Sequence, residues 1–490
     1  MVAIQDTRTA PTGLRDQPSG CHIRPDHHRA LYDDIGFSNV FLVLVTALAL
    51  AAVIVTTLLG EKTSGRSLEH LEQLEGTPGM TAPAAARLLI TNARLLHPES
   101  GELTDASWLE VADGRIADHR TGRPPAAPED VPVLDAAGAT VLPGLIDAHV
   151  HILLTTFDAR EATTWTAGYA TVRALREAER MLRRGFTTVR DVGGADHGMA
   201  RAIDEGLALG PRLVFGGKAL SQTGGHGDVR PLSDDTLPCC QSRPAFARVA
   251  DGVDAVRAAA RDEFRKGAAH LKMLISGGVA SPHDEVSAVQ YTDEEIRAAV
   301  TEAENHNRYV TVHGYHPRGV NRALRAGVRC VEHGNLLDDE TISLLLEHDA
   351  FLVPTLVTYD QMARLGRQSG MAEQSYRKVA DVHEAGLSAL ERAHKAGVNL
   401  VYGSDLLGPL HTAQLEEFTL RAQVQPPADI LRSATSTAAR LLRMEGEIGT
   451  LAIGAHADLL VVDGNPLNDI SVLTRPGHNL RHVIKAGTVI

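Results

Sequence analysis

From about residue 86 onward, short apolar runs rich in Val, Ile and Leu alternate with stretches whose apolar residues recur at helical spacing. Eight of the runs read as strands: Leu145–Leu153, Thr187–Val192, Arg212–Phe215, His270–Ile275, Tyr309–His313, Val328–His333, Ala350–Leu356 and Val398–Gly403. Continuous apolar runs of this length fit strands buried on both faces. Most of the gaps hold an amphipathic helix, as in Thr171–Arg184, Val253–Lys266, Asp293–Asn305, Val320–Ala326 and Ala372–Ala396. Gly185, Gly267, Gly327 and Gly397 stand where these helices should stop. Eight strand–helix units in succession predict an α/β fold of the (β/α)8 TIM-barrel type. The segment Lys218–Asp251, rich in Gly, Ser and Pro, is a long loop after the third strand. Such loops in compact domains tend to carry function.

The two ends of this region carry matching strand material. Arg87–Leu95, Ser107–Val111 and Gly114–Ala117 lie at the front, and LLVVDG and HVIKAGTVI lie at the back. The expectation is a small β-sandwich-like domain built from residues 85–143 and 446–490, enclosing a barrel over 144–445. Ahead of it, residues 1–39 are polar and aperiodic, which predicts a disordered tail. Val40–Leu59 is a stretch without a charge, long enough for a candidate transmembrane helix, and 60–84 reads as a linker. Four arginines precede the stretch, which places the N-terminus on the cytoplasmic side. The expected localisation is therefore a single-pass membrane anchor through 40–59 if residues 1–79 belong to the protein. It is cytoplasmic if the chain starts at Met80, whose MTAPAAARLLITNARLL resembles a natural start.

Composition narrows the partners. The 490 residues carry 48 Lys and Arg against 61 Asp and Glu, a formal net charge of −13, with no basic stripe. No nucleic acid is expected as a partner. The four cysteines, Cys21, Cys239, Cys240 and Cys330, show no metal or redox spacing, and the Cys239-Cys240 pair reads as incidental. The 23 histidines are more suggestive, because several of them end apolar strands.

In barrels of this type the reactive groups lie at the C-terminal strand ends. The first strand ends in VLPGLIDAHVH, where His149 and His151 share a face. A lone His-x-His is more often a pair of solvated histidines than half of a metal site. The other strand ends change that balance. Lys272 stands in the fourth, His313 in the fifth, His333 in the sixth and Asp405 after the eighth. A lysine inside an apolar strand is desolvated and its pKa falls. Its neutral amine can then add carbon dioxide and become a carbamate, an anion able to bridge two cations. A plain ion pair with Asp405 is the competing reading. On the loops, His226 in TGGHGD and Tyr315 beyond His313 are candidates for holding substrate, and Arg230 and His411 are further rim candidates.

The stretches PGLIDAHVH, TVRDVGG, GPRLVFGG, QTGGHGD, KMLISGGVASP, VTVHGY, VEHGN, VPTLVTY, GSD and GTLAIGAHADLLVVDGNPL resemble the metal-dependent amidohydrolase superfamily. The likeness is to its imidazolonepropionase-like and prolidase-like branch, which includes Xaa-Pro dipeptidases and ochratoxin-type amidases. It spans roughly residues 86–490. The resemblance implies a two-metal site. His149, His151 and Asp405 would hold one divalent ion, His313 and His333 the other, and carboxylated Lys272 would bridge them. Zinc is the usual metal of the family, and the N/O donors also admit manganese or cobalt.

The implied reaction is attack of a metal-bridging hydroxide on the amide of a small carboxylate-bearing substrate, a dipeptide such as Xaa-Pro or an N-acyl amino acid. Asp405 would move the proton, and His226 and Tyr315 would contact the substrate's carboxylate or scissile carbonyl. Hydrolysis of a cyclic amide or imidazolone is the alternative within enzymes. A non-catalytic, membrane-tethered metal-binding protein is the alternative outside them. Phosphotriester or lactone hydrolysis uses similar metals. A homo-oligomer is compatible with the sequence.

Overall fold

The protein is described here by a computed structural model covering residues 87–234, 244–281 and 284–490. Strands β6 (Leu145–Val150), β7 (Phe186–Asp191) and β8 (Arg212–Phe215) pair in parallel. So do β11 (Leu271–Leu274), β12 (Val310–Gly314), β13 (Cys330–His333), β14 (Phe351–Val353) and β15 (Asn399–Leu400). Backbone hydrogen bonds join the two sets. Ala269 N–H donates to the Phe215 carbonyl, and Ala148 N–H donates to the Tyr402 carbonyl. The eight strands thus close into a ring, with the helices between them in sequence. Pro83–Ile490 packs as one compact unit.

The strands fall where the apolar runs predict, most with ends shifted by one to three residues; the first stops at Val150, and the last two are cut furthest. The seventh ends at Val353, because Leu356 already begins a helix, Leu356–Leu365. The eighth is reduced to Asn399–Leu400. Beyond it the chain leaves the regular ladder and runs on through Tyr402 to Asp405, held by hydrogen bonds to the first strand. The helix Asp293–Asn305 has the expected bounds and opens with a capping box between Thr292 and Glu295. The helix His197–Asp204, between the second and third strands, has no counterpart in the sequence reading. The long loop after the third strand contributes β9 (Ala219–Ser221) and β10 (Ala247–Val249), which pair in parallel beside β11.

Both chain ends meet in a second sheet. Strands β1 (Leu88–His97), β2 (Glu102–Ala112), β3 (Arg115–Thr121), β4 (Val133–Asp135) and β5 (Thr140–Pro143) come from the front. Strands β16 (Leu459–Val462), β17 (Leu480–Lys485) and β18 (Thr488–Val489) come from the back. The order β18-β17-β16-β5-β1-β2-β3, with β4 beside β1, makes one continuous sheet where a sandwich-like arrangement was expected. It curls back on itself through the Ile116 and Ala455 backbones, around a core that includes Ile90, Leu95, Leu109, Val141 and Val461.

The fold class needs one correction. Among the described residues no helix is long and apolar enough to cross a membrane, and these residues form the barrel and its sheet. The stretch 40–59, the tail and linker around it, and Cys21, Cys239 and Cys240 lie outside the described residues.

What positions the rim is a buried carboxylate in the first strand. Asp147 accepts from His149 N–H at 3.0 Å, Ser404 N–H at 3.1 Å, Ser404 Oγ at 2.6 Å and Gln414 Nε2 at 2.8 Å. It is fully buried and ties the first strand to the segment that presents Asp405. Asp191, at the end of the second strand, does the same for the turn after His151, accepting from Ile152, Gly193 and Ala195 N–H. Asp147→Ala should therefore lower unfolding free energy by about 3 kcal/mol, the cost of a few buried donors left without an acceptor. Urea denaturation measures this, and an unchanged midpoint would show that the clamp does not close the barrel.

Candidate functional site

The polar residues named at the strand ends converge at one end of the ring. His149, His151 and Asp405 place one ligand atom each within 4.8 Å of one another. His149 Nε2 lies 3.2 Å and His151 Nε2 3.5 Å from Asp405 Oδ1. His333 packs beside them, its ring centre 5.0 Å from that of His149 and 4.5 Å from that of His313. Lys272 lies beneath, 2% exposed, and its Nζ has no hydrogen-bond partner among the described residues. All six predicted residues thus share one cluster, buried except for the partly exposed Asp405, although only His149, His151 and Asp405 form a tight donor group by themselves.

Each of three imidazoles has one nitrogen fixed from behind. His149 Nδ1 meets Glu332 Oε2 at 2.8 Å, His151 Nδ1 meets the Gly193 carbonyl at 2.8 Å, and His333 Nδ1 meets Thr355 Oγ1 at 2.8 Å. The carboxylate and the carbonyl can only accept, which leaves Nε2 of His149 and of His151 able to offer a lone pair toward the cluster. His313 is held the other way, with Nε2 3.2 Å from the Gly277 carbonyl. The backbone is bent at three of these positions. His333, Thr355 and Asp405 have φ of 74°, 49° and 50°. That left-handed conformation is strained for side chains in general, and most of all for the β-branched Thr355.

Burial and crowding set the protonation. Burial lowers the Lys272 pKa to about 8, against the partial support of Glu332 and Asp405. Burial lowers His151 to about 4. Burial, then neighbouring imidazoles, push His313 and His333 well below the ordinary histidine range. Burial works to raise Asp405, yet His149, His151 and Lys272 pull it down to about 2. The cluster therefore offers neutral imidazoles at His151, His313 and His333 and an ionised carboxylate, the forms that bind divalent cations, while at His149 the Asp405 and Glu332 carboxylates outweigh burial and raise the pKa.

Above the cluster lies a cavity of about 140 Å³, with His151, His313, Asp405, His226, Tyr315 and Tyr359 among its lining. Leu154, Phe157, Phe246, Val279, Met362 and Leu407 supply an apolar wall. His226 stacks on His313 at 4.4 Å between ring centres, and its Nδ1 lies 2.8 Å from Ser281 Oγ. Tyr315 stands edge-on to His313 at 4.8 Å, and its hydroxyl accepts from Tyr359 at 3.1 Å. Burial raises the pKa of the Tyr315 phenol, which therefore stays protonated as a donor.

Two rim candidates fall elsewhere. Arg230 forms an ion pair with Asp228 in its own loop, and His411 is buried with Nε2 against the Leu154 carbonyl. Neither is among the residues lining the cavity. Sequence reasoning missed Glu332, Tyr359 and Thr355. Glu332 carried a readable signal, since it is an acid inside an apolar strand immediately before His333.

Comparison with known proteins agrees with this geometry. A family model described as the amidohydrolase family matches residues 140–490. The ochratoxinase of Aspergillus niger is 30% identical over 426 residues, covering 82% of this chain and 86% of that protein. The structure of a prolidase complexed with N-methylphosphonate-L-proline matches with a TM-score of 0.80 at 46% identity, covering 82% of this chain and 99% of that one. That of a Xaa-Pro dipeptidase with bound methionine in its active site matches with a TM-score of 0.75 at 30% identity, covering 83% and 100%. This chain belongs to the amidohydrolase family and is a hydrolase acting on carbon–nitrogen bonds.

Proposed function

We propose that the protein hydrolyses the amide bond of a small carboxylate-bearing substrate, a dipeptide of the Xaa-Pro kind or an N-acyl amino acid, at a two-metal centre. The observation that carries this reading is Lys272: a buried amine with no protein partner among the described residues, beneath four imidazoles and a carboxylate. His149, His151 and Asp405 would hold one divalent ion, His313 and His333 the other, and Lys272, as its carbamate, would bridge them. Formation of the carbamate joins the lysine nitrogen to the carbon of carbon dioxide and releases a proton. Zinc suits the imidazole and carboxylate donors, and manganese or cobalt suits them as well. When bound, two such ions lower the pKa of water and polarise a carbonyl.

The chain's own groups do the rest. Asp405, held anionic, accepts a proton from the attacking water and passes it to the leaving nitrogen as the C–N bond breaks. His226 and the Tyr315 hydroxyl face the same cavity and would hold the substrate's carboxylate or scissile carbonyl. The apolar wall keeps bulk water from the reacting groups. The likeness to a prolidase and a Xaa-Pro dipeptidase supports a dipeptide, and the likeness to ochratoxinase supports a wider amide range.

The test is a screen of Xaa-Pro dipeptides and N-acyl amino acids with zinc, manganese and cobalt supplied in turn. Turnover of at least one class is expected, abolished by chelation and restored by metal; no hydrolysis by metal-loaded protein would contradict the proposal. Lys272→Ala should lose metal and turnover together, and full metal content in that variant would remove the bridge. Asp405→Asn should keep at least one metal ion while kcat falls about 10²- to 10⁴-fold, the usual contribution of a positioned acid–base group. Wild-type kcat in Asp405→Asn would take this residue out of the chemistry.

A further inference from the structure

The buried acid behind His149 is placed for more than charge balance. Glu332 and Arg190 are both fully buried, and His149 is 1% exposed. Glu332 Oε1 accepts from Arg190 Nη2 at 2.6 Å, from Cys330 Sγ at 3.3 Å and from Thr311 Oγ1. Glu332 Oε2 meets His149 Nδ1 at 2.8 Å. A carboxylate serving only as the counter-ion of an arginine commonly takes the guanidinium in a two-pronged fork. Here Arg190 gives Glu332 a single nitrogen. Its Nε goes to the Ala148 carbonyl at 2.5 Å, its Nη2 also reaches Cys330 Sγ at 3.8 Å, and the guanidinium also meets the Tyr309 side chain. Three donors from three strands gather on one oxygen and leave the other to the imidazole.

We infer that Glu332 is a positioning residue, which holds His149 with Nδ1 protonated and Nε2 turned toward Asp405 and the metal side. An anionic oxygen at 2.8 Å can only accept, so the proton must sit on Nδ1 whatever the charge of the ring. The corresponding contacts of His151 and His333 are to a carbonyl and a hydroxyl. His149 is the one of these three with an anion behind it, which makes its Nε2 the more basic donor. Arg190, by bonding both Glu332 and the Ala148 carbonyl beside His149, fixes the acid and the strand that carries the imidazole to each other.

This inference rests on the metal-centre reading of the site, and the test separates the two. Full-length wild type, Glu332→Gln, and Glu332→Gln combined with Arg190→Gln are stripped of metal and titrated with zinc against a chromophoric chelator, with Tm measured in parallel. Glu332→Gln leaves a buried arginine unpaired and should lower both Tm and zinc affinity. The double variant removes both charges. Its Tm should return toward wild type, while its zinc affinity stays about 10- to 100-fold weaker, as for loss of a group that orients a metal ligand. Wild-type affinity in either folded variant would show that Glu332 only balances Arg190, and would overturn the inference while leaving the metal centre standing. Failure of the wild type itself to bind zinc, manganese or cobalt would overturn both. Should the variants not fold, a crystal structure of the zinc-loaded wild type decides. Zinc on His149 Nε2 with Nδ1 still on Glu332 is expected, and zinc on Nδ1 would overturn the inference.

Discussion

A lysine amine sealed inside a barrel with nothing to donate to is costly, and the site depends on how that cost is met. Lys272 is 2% exposed and lacks a hydrogen-bond partner among the described residues. Burying an amine in this way favours its neutral form and costs free energy on the scale of a lost hydrogen bond or more. The surroundings give it imidazoles, which cannot neutralise a cation, and carboxylates already engaged elsewhere: Asp405 with His149 and His151, Glu332 with Arg190. On the proposed reading the arrangement makes sense only once the amine becomes an anion and cations fill the space between the rings. The same need explains why the donors come from so many strands. No single strand end can supply them, and a closed barrel brings all the ends together.

Holding those ends in place falls to groups that do not face the cavity. Asp147 and Asp191 are carboxylates spent on backbone N–H groups, each tying a loop of the rim to its strand. Glu332 and Thr355 do the same for side chains, setting the rings of His149 and His333. The bent backbone at His333, Thr355 and Asp405 shows that this framework is stiff enough to hold unfavourable conformations. Polar residues inside apolar strands are here the supports of the site rather than defects in the core.

The legible part of the molecule was the part written in local pattern. Barrel strands showed as apolar runs, and the donors showed because they stand in or just beyond such runs; Asp293–Asn305 showed because its apolar residues recur at helical spacing. What stayed hidden was set by contacts between distant segments. Nothing local tells that the eighth strand gives up its ladder after Leu400, since the bonds that replace it come from Asp147 and Ala148, some 250 residues away. The single curled sheet, where two layers were expected, likewise depends on the pairing of Ile116 with Ala455, which are far apart in the chain. Arg230 and His411 looked like rim residues because loop position was the sole guide, whereas their partners draw them away from the cavity.

The most direct measurement is the metal content of the purified protein, prepared with bicarbonate and analysed by elemental spectrometry beside a folding check. The account predicts about two divalent ions per chain, as for other hydrolases that work with a pair of metals. About one ion would contradict the lysine bridge, and folded protein that takes up essentially none would contradict the metal centre altogether.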